Sequence, residues 1–320
     1  MRLRFSRGFT LLELLVAVAL TLGVATAMLA VTVGVLAFWQ RAQDRFATSA
    51  QAQLALDLLE RDLQSAVCRR GDGTTWLAVS LRNSAEGLPE RGWQLAPTMK
   101  PAAPDSLRLV PTAGDGRPAT IAQARFGLSG AWLRFVAMTP ESAADGALPR
   151  AIAYQVARRP VSGEPGAANA ADVRYSLYRA AVGSAATFAA GYDVAAGYGP
   201  ELAAARASDT LLVNAVDFGV WLYIREGGGG LRRIFPADPA DLGHAGRGGG
   251  EAAETERFPE VADVMVRVLS GEGARQVAAL EQGLVPRPAA HATDAAWWWA
   301  VVEAHSTVEV RRIELKGAPE

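Results

Sequence analysis

MRLRFSRGFTLLELLVAVALTLGVATAMLAVTVGVLAFWQ, residues 1–40, opens with a short basic leader ending at Gly8 and turns apolar at Phe9. One acid, Glu13, interrupts the run, and the 27 residues from Leu14 to Gln40 are uncharged. About 20 apolar residues cover the ~30 Å hydrocarbon core of a bilayer, so the segment is long enough to span one. Arg2, Arg4 and Arg7 flank only its N-terminal end. The positive-inside bias keeps that end in the cytoplasm and sends the bulk of the chain across. A cleaved secretory signal is a poor fit, because its apolar region runs to about 7–15 residues. A plain anchor fits the length but leaves Glu13 unexplained, since an acid in an apolar helix costs roughly 2.5–3.5 kcal/mol near the bilayer centre.

The hexapeptide Gly8-Phe9-Thr10-Leu11-Leu12-Glu13, behind basic residues and ahead of an uncharged span, resembles the class III signal of type IV prepilins and type II secretion pseudopilins. The resemblance implies that a membrane-embedded prepilin peptidase/methyltransferase cuts between Gly8 and Phe9 and methylates the new N-terminus at Phe9. It also implies an assembly role for Glu13, because in that family the glutamate pairs with the N-terminal amine of a neighbouring subunit. A carboxylate in the first turn is favoured by the helix dipole as well. The expected organisation is a leader over 1–8, a transmembrane and filament-core helix over 9–40, an amphipathic helix over 41–68 and a periplasmic β-rich head over 69–320. The fold class is α+β and pilin-like: a long N-terminal helix packed on an antiparallel sheet.

Residues 41–68 carry the helix beyond the membrane. Phe46, Ala50, Leu54 and Leu58 recur every four residues, and Leu56, Leu59, Leu63 and Val67 form a second row. Together they predict an amphipathic stripe with Arg41, Arg45, Asp57, Arg61 and Asp62 around it. Neither glycine nor proline occurs between Gly34 and Gly71. A continuous helix from Phe9 to Val67 would be about 90 Å long at 1.5 Å per residue. The stretch Leu58–Leu63 is similar to the corresponding helix of J-type minor pseudopilins.

The head follows the turn signal Arg70-Gly71-Asp72-Gly73. Strands are expected over 76–82, 106–110, 131–138, 151–158 and 173–182, with a proline-rich loop over 88–104 and a Gly/Ala/Pro connector over 160–171. Residues 185–206, rich in Ala, Gly and Tyr, suit short helical turns. Further strands are expected over 210–216, 217–225 and 231–235, then 261–269 and 307–315, with helices over 272–282 and 294–304. Gly227–Gly230 and Gly246–Gly250 lie in a Gly-rich loop near 226–257, whose part 236–257 is expected as a surface excursion. The order of the C-terminal third is similar to that of J-type pseudopilins.

Half of the 320 residues are hydrophobic, enough for a sizeable core, and the net charge is −1. Without the three leader arginines, 29 of the 32 Lys+Arg would face 33 Asp+Glu. Such a balance is not that of a polyelectrolyte binder, and no nucleic-acid partner is expected. Cys68 is the sole cysteine, so no intrachain disulfide can form. His244, His291 and His305 are too scattered for a zinc site. The Gly227–Gly230 run lacks the Gly-Lys-Ser/Thr ending of a phosphate loop, and no Gly-x-Ser-x-Gly occurs. Asp72, or Asp238 with Asp241, could furnish loop calcium ligands as related pseudopilins do; solvated loop acids are the simpler reading, and no metal or cofactor is expected. Trp297, Trp298 and Trp299 are a candidate partner contact, since tryptophan is enriched at interface hot spots. Successive helical residues point about 100° apart, however, so at least one ring is expected in the core.

The functional expectation is a structural subunit and not an enzyme. It is a minor pseudopilin of a type II secretion pseudopilus, waiting in the inner membrane and assembling with other minor and major pseudopilins on the inner-membrane assembly platform. Glu13 argues against the K-type subunit, which in that family lacks the acid. The chain is longer than the usual J-type, mainly in its loops. Two alternatives stand: a minor pilin of a type IV pilus or DNA-uptake apparatus, and a bitopic periplasmic enzyme on an ordinary anchor. A secretin and secretion ATPase among neighbouring genes would favour the first reading, a retraction ATPase the pilus, and an uncut N-terminus the enzyme.

Overall fold

The computed structural model describes residues 10–69, 73–81, 100, 120–128, 130–140, 147–161, 173–195, 206–238, 241–248 and 256–316. The cleavage position Gly8–Phe9, the turn at 70–72, the expected strand over 106–110, the loop over 88–104 apart from Lys100, and the connector after Val161 lie outside them. The chain divides into two compact units, Met1–Ala47 and Thr48–Glu320, with the boundary inside the first helix.

That helix, α1, runs Leu11–Gln64 and spans 54 residues. In the first unit its 26-residue stretch Leu11–Leu36 is long and apolar enough to cross a membrane, and none of it is buried. Its only polar side chains after Glu13 are threonines. Thr21, Thr26 and Thr32 each donate their hydroxyl to the carbonyl four residues back, at 2.8, 2.8 and 2.9 Å. An apolar solvent would leave such hydroxyls unsatisfied otherwise.

In the second unit the helix is one-sided, but the buried stripe differs from the expected one. Ala52, Ala55, Leu56, Leu59, Leu63 and Ala66 are buried, whereas Leu54 is 69% exposed and Leu58 only half-buried. Phe46, in the first unit, is also exposed. Residues two apart lie about 200° apart on a helix, so Leu54 and Leu56 cannot share a face. Leu56, Leu59 and Leu63 of the second row form the inner face, supplemented by the buried alanines at 52 and 55. Asp62, expected beside the stripe, is buried within it.

Among the described residues the head contains two antiparallel sheets. The larger has the strand order β5-β4-β3-β2-β1-β8. Its members are β1 (Thr75–Leu81), β2 (Ala131–Pro140), β3 (Ala147–Pro160), β4 (Val173–Ala181), β5 (Thr210–Val213) and β8 (Gly243–Arg247). The smaller has the order β10-β9-β6-β7, made of β6 (Ala215–Arg225), β7 (Leu231–Phe235), β9 (Val261–Leu269) and β10 (Ser306–Glu314). Among the described residues the head's α-helices are α2 (Ser184–Ala189), α3 (Gly271–Glu281) and α4 (Asp294–His305). The described part is therefore α+β with an N-terminal apolar helix.

Two corrections to the expected strands have physical causes. The two strands expected over 210–216 and 217–225 are present, but the break falls earlier, at Asn214, which adopts φ 62° and sends the chain from one sheet to the other. Asparagine tolerates that left-handed conformation better than most residues, which are strained there. The excursion over 236–257 is not all loop: β8 lies on β1, with His244 opposite Val79 and Ala245 opposite Ala78. Its Gly-His-Ala-Gly-Arg sequence has no apolar alternation, so it lacks the periodicity from which strands are read. Small residues serve a close approach instead: at Gly246 a methyl group would sit 3.2–3.4 Å from Pro259, Phe258 and Leu77.

Side-chain alternation along β3 places Tyr154, Val156 and Arg158 on one face, opposite Arg179, Leu177 and Tyr175 of β4. On that face α1 delivers Asp62 and α3 delivers Glu281, each to a cluster of hydrogen bonds. Tyr154 donates to Asp62 Oδ2 at 2.6 Å, and Arg179 grips the same carboxylate through Nε at 2.7 Å and Nη2 at 3.2 Å. Further contacts fasten α1 to β10: Arg311 with Asp57 and Glu60, and Ser49 with Glu309 at 2.6 Å.

Candidate functional site

Each unit holds one candidate. In the N-terminal unit Thr10 and Glu13 close the first turn of α1 on each other. The Thr10 N–H donates to Glu13 Oε2 at 2.9 Å and its hydroxyl donates to the same oxygen at 3.0 Å. The Glu13 N–H donates back to Thr10 Oγ1 at 3.3 Å. This reciprocal arrangement is a capping box, in which the residue before the helix and the third residue within it satisfy each other's orphan donors. The Thr10-x-x-Glu13 spacing is the sequence signature of such a box, here set at the head of an apolar run where an acid is otherwise costly. Glu13 is exposed. The geometry gives its carboxylate a local partner within its own helix, at a helix end whose dipole favours negative charge.

In the head, the three consecutive tryptophans of α4 separate as a 100° spacing requires. Trp298 is wholly buried and Trp299 nearly so, while Trp297 is half-buried. Trp298 packs edge-on against Tyr175, with ring centres 5.9 Å apart, and against Trp299 at 5.0 Å. Its indole N–H donates to Glu281 Oε1 at 3.0 Å. The Arg125 guanidinium lies 4.6 Å above the Trp299 ring and pairs with Glu303 one turn further along α4. Two of the three rings are thus core, and only Trp297 is presented outward. It lines an open groove of about 510 Å³ between α3 and α4, with Ala279, Val285 and Val301 on its apolar walls and Glu272, Arg275 and Gln276 on its rim. The rim groups have local partners: Gln276 donates to Glu272 at 3.2 Å and Arg275 Nε to the Gly271 carbonyl at 3.3 Å.

Glu281 positions this helical pair. Beyond Trp298, its carboxylate takes Arg158 Nε at 2.6 Å and the Tyr175 hydroxyl. An acid at the last turn of α3 thereby binds both β3 and β4 to α4. Gly273 permits the two helices to meet, because a methyl there would fall 2.5 Å from His305 Cβ.

A second buried ionic cluster sits on the smaller sheet. Lys100 Nζ lies 3.4 Å from Asp217 Oδ1 and also donates to the Val216 carbonyl; both side chains are fully buried. Asp217 Oδ2 accepts the Phe126 N–H at 3.1 Å. Arg267 donates to the carbonyls of Ala122 and Ala124 at 3.1 and 3.4 Å. Burial pushes the Lys100 amine below its ordinary range and the Asp217 carboxyl above its own. These groups hold residues 120–128 against β6 and β9.

The other chemistry-bearing residues stay apart. His244 on β8 is buried, with Nε2 3.1 Å from the Arg257 carbonyl, while His291 and His305 belong to the 282–293 connection and the end of α4. Asp241 accepts the Ala237 N–H at 2.8 Å, closing its own turn with Asp238; Asp72 lies outside the described residues. Among the described residues no three His, Cys, Asp or Glu side chains converge as a metal-binding group. Cys68 is half-buried beside Gly248, where a methyl would meet its sulfur at 2.7 Å. No protein-family model, no curated protein and no solved structure matches the chain.

Proposed function

We propose that the chain is a pilin-like structural subunit, a minor pseudopilin of a type II secretion pseudopilus, and that its work is assembly and not catalysis. One observation carries the reading: an acid at the third position of an exposed, membrane-length apolar helix, directly behind a Gly8-Phe9 junction and a basic leader. A prepilin peptidase/methyltransferase cuts before Phe9, and the helix waits in the inner membrane with its N-terminus cytoplasmic and its head periplasmic. The assembly platform then draws it into a filament with other minor and major pseudopilins, Glu13 meeting the amine of a neighbour. The head's two sheets and outward-facing Trp297 supply the surface for those neighbours, at the filament tip in a J-type role.

The Thr10–Glu13 capping box favours a second reading, a plain bitopic anchor whose acid only closes its own helix. One experiment separates them: the N-terminal residue and intact mass of protein purified from membranes of a host carrying the peptidase. The pseudopilin reading expects a chain beginning at N-methylated Phe9, and an uncut chain for Gly8→Ala. A native chain still beginning at Met1 refutes it.

A further inference from the structure

We draw no further inference here: the strongest candidate, the open apolar groove between α3 and α4 lined by Trp297, Val285 and Val301, carries nothing because its rim charges are taken up within α3 and nothing in the structure shows what covers it.

Discussion

Replacing Asp62 with alanine tests whether α1 is fastened to the head by chemistry or merely by apolar contact. The carboxylate side chain is 3% exposed and that of Arg179 22%, and Arg179 holds both oxygens. Removing one partner of a buried ion pair costs about 3–5 kcal/mol, because the other charge is left without a counterion. Arg179 keeps some access to water, which places the expected loss near the lower end, about 3 kcal/mol. The Tyr154 hydroxyl loses its acceptor at the same time, a hydrogen bond to a charged group worth about 1.5–3 kcal/mol on its own. The two losses share one carboxylate and are not additive. For a domain of this size each 1 kcal/mol shifts the midpoint by about 2–4 °C, so Asp62→Ala is expected to lower it by about 6–12 °C.

The assay is thermal unfolding of the full chain in detergent, followed by near-ultraviolet circular dichroism of the buried tryptophans. Asp62→Asn retains the shape and a hydrogen-bond acceptor for Tyr154 while removing the charge, and a smaller loss is expected. Arg179→Met and the double variant complete a cycle that isolates the pair. A loss under about 1 kcal/mol for Asp62→Ala, or strict additivity in the cycle, refutes the claim that this pair secures the helix.

Alkaline pH is expected to weaken the head. Burial raises Tyr154, Tyr178 and Tyr223 above the ordinary value of 10.0. Their contribution is complete below the unfolded-state pKa and is lost as pH rises through the folded one, at up to about 1.4 kcal/mol per pH unit for each tyrosine. Urea midpoints from pH 8 to 11.5 should stay level and then fall above about 10, less steeply in Tyr154→Phe; a flat profile sinks the argument. Gly219→Ala places a methyl 2.0 Å from the Phe126 ring and should cost about 1–3 kcal/mol by overpacking, partly recovered by adding Phe126→Leu. Trp298→Ala should cost about 3–5 kcal/mol in the same unfolding assay and Trp297→Ala less than about 1.5 kcal/mol; equal losses contradict their assignment to core and surface.

The elements with a strong period were legible from sequence. Both α3 and α4 fall within a residue or so of expectation, and β9, with Val261, Val264, Val266 and Val268, reads as a strand because β-branched residues crowd it. The capping of these helices was equally local: Ser270 and Thr293 each accept a backbone N–H from three residues on. The membrane-length run was legible for the same reason, since length and composition alone decide it. What could not be read is whatever depends on a partner far along the chain. β8 has no alternation of its own and exists as a strand because β1 offers it an edge.

Asp62 shows the limit most sharply. In the sequence it is one more acid beside Leu59 and Leu63, and a helical wheel places it on the border of the apolar stripe, where solvation is the default. The structure puts it inside, because Tyr154 and Arg179, 92 and 117 residues away, converge on one carboxylate. Leu54 makes the converse case: it has the residue type of the stripe and faces outward. An apolar period says that one face of a helix is buried, but not which neighbouring row supplies it when two rows compete. In the structure the choice falls on the row of Leu56, Leu59 and Leu63, flanked by buried Ala52 and Ala55, and Asp62 lies on that same face within reach of its partners. Enlarging Ala55 should therefore weaken the Asp62 contact without touching it, so the effect of Asp62→Ala should shrink in an Ala55→Leu background.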